Sequence, residues 1–238
     1  MLDDKNDLDS EAFWSGFFWG SRLGNINLYV YLKPYLMELA SDDAYFLPRE
    51  QLAAFLLRGW ITFDETTRKR LILGDEMRSV LVKNKTDLRV ATIKVIGKWL
   101  DKERKEPGEQ DIWSNNVPEF FKNVWPRQKF AASSAVTEQL VKVAFENFEK
   151  LPELLDLILP FLTPLEKQNN FLPVIDTEKT NVFDRRPREA LEIMHRVLID
   201  ISPYMRDMEE ILERIIKADD TLKTNEKFLE LRHRWYSR

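Results

Sequence analysis

The sequence predicts an all-α fold. Glycine is scarce, with only seven in 238 residues. Few stretches alternate apolar and polar residues, as a half-buried strand would. Most segments instead repeat their apolar residues at intervals of three and four, the spacing of a helix with one buried face. Hydrophobic residues make up 44% of the chain, and fifteen Phe, seven Trp and six Tyr supply ample material for a core.

The elements follow in order. Ser10 can cap a helix over about 11–23. A second, over 26–40, carries Leu28, Leu32, Tyr35, Leu36 and Leu39, with Pro34 inside it. Pro48 opens a helix over 48–59. Two shorter helices fill 65–83, broken at Gly74-Asp75. Asp87 caps 88–103, with Ala91, Val95, Ile96 and Trp99 in line. The charged stretch DKERKEPGEQD at 101–111 reads as a solvated loop and a boundary. After the polar IWSNN turn, Phe120, Phe121, Val124 and Trp125 match a short helix that Pro126 stops. Arg127 then lies within reach of that helix's last carbonyls.

Further along, 134–149 carries Val136, Leu140, Val143, Ala144 and Phe148, and Pro152 starts 152–162, which Pro160 ends or kinks. Residues 163–186 read as a long loop. Pro187 starts 187–200, with Leu191, Met194, Val197, Leu198 and Ile201 on its stripe. Ser202 and Pro203 suit the start of 203–218, where Tyr204, Met205, Met208, Ile211, Leu212, Ile215 and Ile216 face inward. Glu209, Glu210, Glu213 and Arg214 face solvent. Thr224 caps the last helix, 225–236, with Phe228, Leu229, Arg232 and Trp235 in line. Short connections make antiparallel pairs, so the series points to a HEAT-type α-solenoid, with an irregular helical domain as the alternative. The division expected is an N-terminal helical block at 1–105 and a C-terminal block at 112–238, or one continuous domain.

Several functions are disfavoured by what is missing. A net charge of −4 argues against a general nucleic-acid binder. The absence of cysteine removes disulfides, thiol nucleophiles and cysteine-ligated zinc, and fits a cytoplasmic setting. MLDDKNDLDS is acidic where a signal peptide is basic, and no apolar run reaches the roughly 18–20 residues that span a bilayer, so no membrane role is expected. No GxGxxG or P-loop occurs, and Gly16, Gly20 and Gly24 read as a close helix contact. The two histidines, His195 and His233, have no second histidine at ligand spacing and read as structural or surface groups. No catalytic residue, cofactor site or metal site is assigned. The basic clusters Lys122, Arg127 and Lys129, and Arg185, Arg186 and Arg188, are the candidate interaction surface. A third lies at Arg232, Arg234 and Arg238. Arg188 sits at a helix N-terminus, against the dipole, where a cation often has another partner, such as a carboxylate.

The order VWPRQ, LPELLDLILPFLTPL, NVFDRRPREALEIMHRVL, ISPYMRDMEEILERIIKADDTL and LELRHRWYSR, over roughly residues 117–238, resembles a C-terminal helical domain of unknown function. That domain is found in bacterial sirtuin-like, NAD-consuming anti-phage defence proteins. The resemblance implies a non-enzymatic helical interaction or sensor domain, the C-terminal part of a longer protein. Its partner would be the sirtuin-like domain or a phage component, and the NAD site would lie outside these residues. It leaves open whether the natural chain begins at Met1. The alternatives are a helical-repeat nucleic-acid-binding module built on the basic clusters, and an enzyme whose site uses only carboxylates and arginines.

Overall fold

The computed structural model describes residues 30–34, 49–71, 73–83, 86–105, 112–127, 133–165, 181–199 and 207–237. The helix expected over 11–23, the glycine triplet, Ser202, Pro203, Tyr204, Met205, Ile201, Lys129 and Arg238 lie outside these residues. Among the described residues there are helices and no strand, as predicted. The helices are irregular, from four residues to twenty, with three short 3₁₀ turns between them. They fall into two compact units, Met1–Phe130 and Ala131–Arg238.

In the first unit, α1 (Arg49–Thr62) packs along α4 (Thr86–Lys105), and α5 (Ile112–Asn123) lies against both. Two short helices, α2 (Glu65–Arg70) and α3 (Leu73–Lys83), connect them. The first of these ends at Arg70, with Leu71 as its C-cap, and the break is not at Gly74-Asp75, which lies inside α3. Asp64 caps α2 by accepting from the Thr67 N–H at 2.7 Å, and Gly74 sits in the first turn of α3. The division expected after residue 105 is displaced to 130/131, because α5 packs on α1 and α4. α5 also runs through Pro118. The polar IWSNN stretch, expected to be a turn, is therefore the first half of a helix. Burial of Val117, Phe120 and Phe121 holds that helix despite the missing proline N–H.

Residues 120–125 close this core. Phe120, Phe121, Val124 and Trp125 are all buried. Their rings form one cluster: Phe121–Trp125 centroids are 5.4 Å apart, Phe120–Phe121 6.0 Å, and Phe120 meets Trp60 of α1 edge-on at 6.2 Å. These are the offset and edge-to-face arrangements that aromatic quadrupoles favour. The Arg68 guanidinium lies 4.7 Å from the Trp60 ring and donates to Glu119 at 2.6 Å and to Asn116 at 3.0 Å. The carbonyl of Asn123, at the end of α5, accepts from Arg78 and not from the Arg127 the sequence suggested. Arg127 is exposed.

The second unit is built from α6 (Ser134–Glu146), α7 (Leu151–Ile158), α8 (Val182–Arg185), α9 (Pro187–Val197), α10 (Met208–Ala218) and α11 (Glu226–Tyr236). Of the long loop expected over 163–186, the described part at its end is helical: Val182 and Phe183 of α8 are fully buried, and Phe183 meets Phe145 of α6 edge-on at 5.7 Å. α9 is central, in contact with α6, α7, α8, α10 and α11, and its stripe Leu191, Met194, Val197 and Leu198 is buried as predicted. The buried Thr137 hydroxyl accepts the Thr163 N–H at 3.0 Å, and the Leu165 N–H reaches the Val197 carbonyl at 3.0 Å, tying the segment after α7 to α6 and α9.

Three sequence expectations shift here. α10 begins at Met208, with Asp207 before it, five residues later than Pro203. α11 is capped by Asn225, whose side chain accepts the Lys227 N–H at 3.0 Å, and not by Thr224, which ends the preceding 3₁₀ turn. Its buried face is Phe228 and Leu231, while Leu229 is 47% exposed. Asn225 wins as cap because its amide sits at the true N-cap position, in extended backbone.

Replacing Trp125 with alanine should cost the first unit about 3–5 kcal/mol, the range for removing a buried large aromatic. Urea unfolding measures it, with Lys122→Ala, an exposed control, expected to stay within about 0.5 kcal/mol of wild type.

Candidate functional site: a charged groove in the second unit

The two basic clusters of the candidate interaction surface are placed as follows. Lys122 is exposed on the last turn of α5, in the first unit with Arg127. Arg185, Arg186 and Arg188 belong to the second unit, at the junction of α8 and α9. Two of these three are engaged within the fold. Arg186 donates to the Glu149 carbonyl at 3.4 Å. Arg188 Nε donates to Asp219 at 2.7 Å, and its Nη2 to the Thr221 hydroxyl at 3.0 Å. Arg188, a cation at a helix N-terminus, thus has another partner, and that partner is a carboxylate.

Other cations of this unit are engaged in the same way. Arg214, read from sequence as solvent-facing, is partly buried: it donates to Asp184 at 2.5 Å, and its guanidinium lies 5.6 Å from the Phe183 ring. Lys227 pairs with Glu192. Arg234 donates to the carbonyls of His195 at 3.1 Å and Leu198 at 3.0 Å, capping the end of α9, and to Glu230 at 3.1 Å. His195 Nε2 lies 2.7 Å from the same Glu230 carboxylate. This places His195 in a structural cluster that joins α9 to α11. The His195 hydrogen bond, first, and Arg234 after it hold the Glu230 carboxyl below the usual carboxylate range. Among the described residues no group of three metal-ligating side chains occurs.

The concave feature of the unit is elsewhere. α10 and α11 are antiparallel, joined at one end by the 3₁₀ turn Asp220–Thr224 and at the other by Tyr236, whose hydroxyl donates to Glu209 at 3.1 Å. Each packs on α9, and the space between them is an open groove of about 780 Å³. Leu212, Ile216 and Phe228 form its floor. Glu209 and Glu213 line one end, Lys217, Asp220 and Lys223 the other, with Arg232 and Tyr236 along the α11 wall. The Arg232 guanidinium lies 5.7 Å from the Tyr236 ring. The hydrogen bond to Glu209 raises the Tyr236 phenol above its ordinary value.

Arg188 belongs to this site as a strut. Asp219 accepts from the Thr221 N–H at 3.1 Å, the Thr221 hydroxyl at 2.6 Å and Arg188, and so fixes the turn that closes the groove. Those bonds, Thr221's first and Arg188's second, hold the Asp219 carboxyl below its ordinary value. The groove itself was not singled out from sequence. Glu209, Glu213 and Lys217, four residues apart, mark one face of α10, but that spacing describes any solvated helix face. What makes the face a groove is the position of α11.

No family model matches the chain, and no solved structure matches it. An uncharacterized protein, y4cA, of Sinorhizobium fredii (strain NBRC 101917 / NGR234) is 24% identical over 187 residues, 76% of this chain and 15% of that protein. The chain thus spans only about 15% of the length of this relative. Among the described residues no helix is long and apolar enough to cross a membrane.

The Asp219 clasp has a pH signature. Its carboxyl is depressed when folded, so its contribution is present above the ordinary value of 3.8 and is lost as pH falls through the lower folded value. Asp219→Asn should therefore melt below wild type at pH 7, and the difference should shrink towards zero as both are acidified below about pH 4. Thermal melts of the two proteins between about pH 2.5 and 7 measure this.

Proposed function

We propose that the chain is a non-enzymatic helical interaction or sensor domain, the C-terminal part of a bacterial anti-phage defence protein, which regulates or assembles a sirtuin-like, NAD-consuming effector. The observation that carries the interaction reading is the groove between α10 and α11: an open concavity whose floor is apolar and whose rim bears both charge signs. Such a surface suits a protein partner, with apolar contact at the centre and a polar rim. The match to a segment of a far longer relative supports a module that acts within a larger chain. The link to an NAD-consuming effector and to defence rests on the sequence resemblance over residues 117–238. Nucleic-acid binding is the poorer fit, because Arg186 and Arg188 are engaged within the fold and the groove presents three carboxylates.

Two measurements test the proposal. The isolated chain incubated with NAD should leave it unconsumed, and turnover would overturn the non-enzymatic assignment. Added to a separately expressed sirtuin-like effector of the same defence protein, the chain should change that effector's rate of NAD consumption; an unchanged rate counts against the regulatory role.

A further inference from the structure

Four of the charges that line the groove, Glu213, Lys217, Asp220 and Lys223, make no ion pair or hydrogen bond within the fold. In the same unit Arg188, Arg214, Lys227 and Arg234 are each paired. Each end of the groove carries an excess of one sign with a single opposite charge: Arg232 lies beside Tyr236 at the acidic end, and Asp220 lies with the lysines at the other. Glu209 and Glu213 occupy the end where Tyr236 closes the groove. Lys217 and Lys223 occupy the end at the 3₁₀ turn, with Lys217 roughly 12 Å from Glu209 and roughly 6 Å from Glu213 along α10, at 1.5 Å of rise per residue. Between them the floor is apolar.

We propose that this groove binds an amphipathic helical segment of a partner protein. That segment carries lysine or arginine at one end, aspartate or glutamate about two turns away, and apolar residues between. The cationic end lies over Glu209 and Glu213, and the acidic end over Lys217 and Lys223. A helix is favoured because α10 and α11 are antiparallel and leave between them the space that a third helix fills in helical packing. The charge pattern fixes which end goes where, since reversing the segment would set like charges against each other at both ends. A second copy of the chain fits less well. Laying α10 antiparallel on its own copy, with Glu209 opposite Lys217, brings Glu213 onto Glu213 at the two-fold axis.

This rests on the reading of the second unit as an interaction module, and it is tested apart from the effector assay. The full chain is titrated, by fluorescence anisotropy, against three labelled alanine- and leucine-rich helical probes of roughly 16 residues. One has lysines at one end and glutamates at the other, one has lysine at all charged positions, and one has glutamate. Wild type should bind the dipolar probe roughly tenfold more tightly than either uniform probe, and added salt should narrow the gap. The double variant Lys217→Glu/Lys223→Glu should lose that preference and favour the all-lysine probe; Glu209→Lys/Glu213→Lys should favour the all-glutamate probe. Affinity gained for a new probe does not arise from misfolding.

Equal binding of all three probes by wild type, or a ranking the variants leave unchanged, overturns the proposal. So does a wild-type dimer in sedimentation velocity that Lys217→Glu/Lys223→Glu abolishes, which would assign the groove to a second copy. If the effector assay responds while no probe is discriminated, the partner engages another surface and only the groove assignment fails.

Discussion

Every α-helix ends in carbonyls that the helix itself leaves without partners, and the way this chain satisfies them organises much of its structure. Glycine, the usual device for ending a helix, is scarce. Long cationic side chains take its place. Lys33 donates to the Leu71 carbonyl at 2.8 Å, closing α2, and Arg89 to that of Leu81 at 2.8 Å, in the last turn of α3. Arg78 reaches Asn123 at the end of α5, and Arg234 reaches His195 and Leu198 at the end of α9. Arg196 reaches Leu162 at 3.3 Å, after α7 and its 3₁₀ turn. Each bond satisfies a helix end and places a cation at the negative pole of the helix dipole. Most join residues more than thirty apart, so each is also a tertiary clamp.

This use of the basic residues bears on function. A nucleic-acid surface needs cations free to meet phosphates, whereas here many are turned inward or paired across helices. In the second unit the charges that stay uncommitted include a group of both signs along the groove between α10 and α11. The groove owes its closed end to the same economy of arginine: Arg188 holds Asp219, Asp219 holds Thr221, and the turn between the helices is fixed. Replacing Arg188 thus bears on the shape of a surface that its own side chain does not line.

The first unit shows the complementary principle. Its aromatic residues at 120–125 stack into one cluster with Trp60, and the cations near them act as edges to that cluster. A stretch dense in rings and positive charge carries the composition of a ligand site. Burial shows it to be packing, with Trp125 and Val124 enclosed and Lys122, Asn123 and Arg127 exposed.

Much of this was legible from the sequence. Period-3.6 apolar stripes located α4, α6, α9 and α10, because a helix with one buried face must show that period, and Pro48 marked α1. Pro187 and Pro152 marked starts within a residue or two, and the helix dipole pointed to another partner for Arg188, such as a carboxylate. The misplaced features have local causes. Thr224 and Asn225 are both good caps, and the 3₁₀ turn that consumes Thr224 decided between them. IWSNN is polar enough for a turn and becomes helical because the far end of the same helix is pulled into the core. α8 is too short to show a period at all, and Phe183 enters the core through its contact with Phe145.

The sequence by itself determined the helical class, the inward faces of the long helices and the absence of recognisable catalytic motifs, since these depend on residues near one another along the chain. Only the tertiary structure decided which arginine meets which helix end, where the two units part, and that the exposed faces of α10 and α11 enclose a groove. Those outcomes rest on contacts between different helices, most of them between residues far apart in the chain, which the pattern within a single helix does not encode.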